Sequence, residues 1–106
     1  KPSSAASDVY KRQTVDSARL EEYNAYLKEE IEASMRLEPG VLVLYAVAEK
    51  ERPHHVTILE IYVDEAAYKS HIATPHFQKY KKETLDMVQS LELVDTTPLI
   101  PGLKIK

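Results

Sequence analysis

A chain of 106 residues, 43% of them hydrophobic, is long enough for one core and too short for two. A net charge of −3 argues against nucleic acid as the main partner. The lack of cysteine excludes disulfides, thiol nucleophiles and Cys-ligated metal sites and agrees with a cytoplasmic location, and no apolar run reaches the ~20 residues that span a bilayer.

The chain opens on a stretch that reads as foreign. Asp8-Val-Tyr-Lys-Arg-Gln13 matches the translation of a transposase mosaic end used as a sequencing adapter, so residues 1–13 are set apart from the fold and the domain is taken as residues 14–100. From Ser17 to Leu37, the residues Leu20, Tyr23, Leu27, Ile31 and Met35 recur at three- and four-residue steps, which predicts an amphipathic helix capped by Asp16 or Ser17. Pro39-Gly40 stops it. Val41 to Ala48 follows as a β-branched strand, and Glu49 to His54 connects it to another at His55 to Asp64. Asp64 caps a short helix reaching about Ile72; Thr74, with Pro75 in the first helical position, starts a longer one predicted to run to Leu91. Glu92 to Thr97 reads as the last strand; Pro98 to Lys106 is apolar and proline-stiffened and is expected to lie across a partner or the domain edge, with residues 101–106 as a C-terminal tail outside the domain.

Chemistry is expected where the third predicted element meets the helices. Its strand is apolar on both faces and still carries an ionisable Glu60, while the break at Thr74-Pro75 brings His71 and His76 together. The pattern Glu60-x-Tyr62, His71, Thr74-Pro75-His76-Phe77 resembles the antibiotic biosynthesis monooxygenase family. That resemblance implies an α+β, ferredoxin-like split βαβ fold with an antiparallel sheet, paired into a dimeric α/β barrel. Because the family begins with a strand where residues 1–13 lie, the first strand is expected to be missing or replaced. Both visible strands are apolar on two sides, a surface that needs covering, and a homodimer would cover it.

The resemblance also implies a cavity. If Leu59 and Ile61 face the helices, Glu60 and Tyr62 point into the barrel and Tyr45 joins them by alternation. A desolvated Glu60 would then accept or donate a proton, or else form a plain interface salt bridge. His71 and His76 are read as hydrogen-bonding or proton-shuttling groups, with packing at the helix break as the alternative for His76, and Tyr80 as a cavity residue. No metal site is expected, because a five-residue step across a proline does not share a helix face. Three functions remain. The first is a cofactor-independent monooxygenase joining a small apolar or aromatic substrate, such as a quinol, to dioxygen; with only Gly40 and Gly102, no Gly-rich phosphate loop is available. The second is an isomerase of a phosphorylated quorum-sensing sugar, and the third a non-catalytic dimeric binding or stress protein.

Overall fold

Every second residue of Ser7–Val15 (β1) is buried, with Val9, Lys11, Gln13 and Val15 on one side. This is the period of a strand with one covered face. The computed structural model describes residues 7–103. After β1 come Leu20–Leu37 (α1), Val41–Ala48 (β2), His55–Tyr62 (β3), Glu65–Ile72 (α2), Pro75–Thr84 (α3) and Val88–Thr96 (β4). The four strands form one antiparallel sheet in the order β2-β3-β1-β4, the ferredoxin-like α+β arrangement.

The first strand is therefore present. Residues 7–13, set apart in the sequence as foreign, lie at the centre of the sheet, where β1 pairs with β3 from Ser7↔Tyr62 to Thr14↔His55 and with β4 on its other edge. Alternation with β-branched Val9 and Val15 suits this place; of the two polar side chains on the covered side, Gln13 hydrogen-bonds Tyr23 and Tyr80, and Lys11 lies beside Glu60. Residues 1–6 of that stretch and 104–106 of the tail lie outside the described residues.

Asp16 accepts the Ala18 N–H at 3.0 Å and caps a 3-10 turn, Ser17–Arg19, that runs into α1. The buried stripe of α1 is Tyr23, Leu27, Glu30 and Ser34, rotated from the expected one; Ile31 packs at its margin and Met35 is exposed. Polar residues can hold the stripe because they pair: Ser34 Oγ donates to Glu30 Oε1 at 2.7 Å. At Gly40 a Cβ would meet the Ala67 Cβ at 2.6 Å, so α2 lies against the start of β2 only because glycine is there. Asp64 caps α2 by accepting the Ala67 N–H at 2.8 Å. The Thr74 hydroxyl accepts from the Phe77 N–H and donates to the His71 carbonyl at 2.7 Å, which fixes the break between α2 and α3.

The last helix is shorter than its periodicity predicts. It ends at Thr84, and Val88 and Leu91 belong to β4, where Val15↔Val88 and Gln13↔Leu91 make rungs with β1. Backbone pairing with the central strand outweighs the local helical pattern.

All three helices cover one face of the sheet. Val56, Ile58, Glu60 and Tyr62 of β3 lie on that face, together with Leu44 of β2, while Leu59 and Tyr45 point to the open side. The expected facing of β3 is thus reversed. A one-residue change of face moves every side chain, and the rungs Val9↔Glu60 and Leu44↔Glu60 align Glu60 with buried neighbours. Among the described residues no helix is long and apolar enough to cross a membrane.

Candidate active site

Beneath the helices the covered face carries more charge than a core of this size usually does. Lys11 of β1, Glu60 of β3, Glu30 of α1 and His71 of α2 are all buried. Glu60 and Tyr62 are two residues apart on one strand face, and the Tyr62 hydroxyl donates to Glu60 Oε1 at 2.7 Å. The other carboxylate oxygen, Oε2, lies 3.8 Å from the Lys11 ammonium. Desolvation, and then the Glu60 charge, push the Tyr62 hydroxyl well above the usual phenol range, so it stays a donor to Glu60 at any working pH.

Both imidazoles reach carboxylates at the C-terminal end of α1. His71 Nδ1 donates to Glu38 Oε2 at 3.0 Å, and its Nε2 lies 3.4 Å from Glu30 Oε1. His76 Nε2 donates to the same Glu38 oxygen. Glu38 reaches both rings because it caps the C-terminus of α1, with its own N–H bonded to the Ser34 carbonyl. The two carboxyls respond in opposite directions. Burial raises Glu30 above the ordinary value and outweighs the hydrogen bond from Ser34 and the charge of His71. Burial would also raise Glu38, but hydrogen bonds from His76 and His71 outweigh it and hold the group low.

The ligand atoms of Glu30, His71 and His76 fall within 4.8 Å of one another, close enough in principle to hold a metal ion. Sequence spacing argued against this on one helix; two converging helices and α1 bring the groups together instead. In the geometry observed, the donors pair with the carboxylates, and the arrangement can share and move protons.

Aromatic rings close the site. His71 packs on Tyr62 and Phe77, with centroids 5.4 and 5.1 Å apart. Tyr80 hydrogen-bonds Tyr23 at 2.7 Å and receives a hydrogen bond from Gln13 at 3.3 Å. A cavity of about 230 Å³ opens beside Gln13, Tyr80, Lys81 and Leu91, between α3 and β4. The structure thus brings Glu60, Tyr62, His71, His76 and Tyr80 to one face. Tyr45 does not join them: at 66% exposure it stands on the opposite face, because its rung partner Leu59 does.

Lys11, Glu30 and Glu38 were missed in the sequence. Lys11 lay in the stretch set apart, and Glu30 looked like one more charge on a polar helix face. A signal for Glu30 was available, since Tyr23, Leu27, Glu30 and Ser34 form a stripe at steps of four, three and four.

Fold and site together define a ferredoxin-like α+β domain with an acid–base cluster enclosed beneath its helices. The chain belongs to the antibiotic biosynthesis monooxygenase family, whose model matches residues 9–83 and so begins inside β1. It is 78% identical to a protein of Bacteroides thetaiotaomicron VPI-5482 that bears the provisional name of antibiotic biosynthesis monooxygenase; the match covers 96% of this chain and 97% of that one, with a TM-score of 0.94. A provisionally named monooxygenase of Lactobacillus acidophilus NCFM is 28% identical over 85% of this chain and 43% of its own, with a TM-score of 0.82. A Nitrosomonas europaea protein, 18% identical over 92% and 94% of the two chains, shares the fold with a TM-score of 0.85. No curated protein matches the chain.

Proposed function

We propose that the protein is a homodimeric, cofactor-independent monooxygenase that oxidises a quinol or another electron-rich phenol with dioxygen. One observation carries the reading: Glu60 is buried, keeps one oxygen on Tyr62 and turns the other toward Lys11 without a hydrogen bond between them. A buried base beside a cation suits the removal of a phenolic proton. The substrate anion then passes one electron to dioxygen, the ring radical and superoxide combine at carbon, and the hydroperoxide loses water to leave a carbonyl. One oxygen atom enters the product, the other leaves as water, and the substrate supplies all four electrons. His71 and His76, held by Glu30 and Glu38, keep the charge of the site balanced and relay protons.

The open sheet face supports the dimer. Tyr45, Val47 and Leu59 are exposed there beside Tyr10, Ile61 and Val94, an apolar surface of the kind that a second copy buries. Phosphosugar isomerisation is the second reading, favoured by Lys81 in the wall of the cavity and by Lys11, whose charge acts on Lys81.

Oxygen uptake with a panel of quinols under metal chelation tests the reading. Uptake that survives chelation and falls at least tenfold in Glu60→Gln, about 1.4 kcal/mol of barrier, is the expected result. No uptake above the uncatalysed rate removes the oxygenase reading.

A further inference from the structure

The Lys11 side chain is only 9% exposed, and its ammonium makes no hydrogen bond among the described residues. An ammonium has three donors, and here they are free to meet a ligand. Its surroundings are specific. The Phe77 and Tyr80 ring centroids lie 5.8 and 5.5 Å away, positions that favour a cation electrostatically but take none of its N–H groups. Glu60 Oε2 is 3.8 Å away. That separation is too long for a direct hydrogen bond, yet one oxygen atom could sit within roughly 2.8 Å of both groups.

Beside this point, along β4, the cover of the sheet thins. Leu91 and Leu93 pair with Gln13 and Lys11 and share their face of the sheet, but both are about half exposed, so no described helix covers this strip. The cavity of about 230 Å³ lies at the Gln13–Leu91 end of the strip, walled by Tyr80 and Lys81; Lys11 and Glu60 do not line it, and Lys11 is joined to it through the Tyr80 ring. Since a cavity near 150 Å³ accommodates benzene, this one suits a single substituted ring. Lys81, in the wall of that cavity, has no salt bridge among the described residues and adds a second lysine to this side of the site.

Resting on the oxygenase reading and extending it, we propose that Lys11 is a catalytic residue that holds the ionised hydroxyl of a monocyclic phenol, entering between α3 and β4, while Glu60 takes its proton. The O–H bond breaks, the proton moves to Glu60 Oε2 and the electron pair stays on the phenolate oxygen, which pairs with the Lys11 ammonium. Nothing else is consumed in this step.

4-Nitrophenol tests the proposal without turnover, because its para carbon is blocked and its phenolate is coloured. Bound to the wild-type protein it should ionise at lower pH than in buffer, and bind at least tenfold more tightly than 4-nitrotoluene, which is close to it in size and has no hydroxyl proton to lose. Lys11→Met should abolish both effects and Lys11→Arg retain most of the preference. Equal affinity for the two probes on the wild type overturns the proposal, and that comparison needs no variant to fold. So does a folded Lys11→Met protein that still ionises the probe, or displacement of the probe by equimolar inorganic phosphate. Probe ionisation that depends on Lys11, without oxygen uptake on any quinol, sinks the oxygenase reading and leaves the phenolate site standing. Uptake that depends on Glu60 without probe ionisation does the reverse.

Discussion

The two faces of the sheet are built from the same strands and differ in kind. On the helix side, Lys11, Glu60, Tyr62 and Gln13 are buried among polar groups of α1, α2 and α3, while on the other side Tyr45, Val47 and Leu59 are apolar and exposed. Charge is set into the apolar core on one side, and apolar surface is left exposed on the other. Each of the two asks for a partner. Buried charges are kept where chemistry or pairing compensates their desolvation, and an exposed apolar sheet face is kept where another surface covers it.

The contrast breaks most sharply at His71. His71→Ala leaves Glu30 and Glu38 without their shared imidazole and opens a hole beside Tyr62 and Phe77. A loss of about 3–5 kcal/mol in urea unfolding is expected, and less than about 1 would show that water replaces the ring. Tyr62→Phe, which removes only the donor to Glu60, should cost about 1.5–3 kcal/mol by the same measurement.

A finer test lies in pH. In the folded protein the Glu30 carboxyl ionises above its ordinary value of 4.5, so its charge is a burden to the native state that is absent at lower pH and grows as pH rises through the folded value. Glu30→Gln should therefore gain on wild type as pH rises. Glu38 is held below 4.5, so its contribution is present above that value and fades as pH falls through the folded one. Glu38→Gln should lose most near neutrality and approach wild type in acid. Parallel slopes for the two variants would show that the shared imidazole does not set them apart.

The open face should give the smallest effect on the folded chain. Tyr45→Ser is expected to move the unfolding free energy by no more than about 0.5 kcal/mol at a concentration where the protein is monomeric. Sedimentation of the same variant should nevertheless show weaker self-association, and an unchanged dimer would relocate the interface away from this face.

Much of the element order was legible because it rests on local rules. Thr74-Pro75 and Asp64 cap the helices they were expected to cap, and Pro39-Gly40 ends α1. What failed were the decisions that depend on a neighbour. β4 begins at Val88 rather than Glu92, and β1 exists at all, because the two strands complete each other's hydrogen bonds across the sheet. The facing of β3 could not be read either, since both its faces carry apolar residues and period-two alternation states only that there are two sides.

By itself, then, the sequence determined the class of fold, the family resemblance and the short motif that brings His71, His76 and Glu60 into one region, because caps, periodicities and a compact motif act over a few residues. Only the tertiary structure decided that Glu60 faces the helices and Tyr45 does not, that Glu38 reaches both imidazoles from the end of α1, and that Lys11 lies 3.8 Å from Glu60. Those contacts join residues far apart in the chain, and their cost or benefit exists only once packing has removed water from around them.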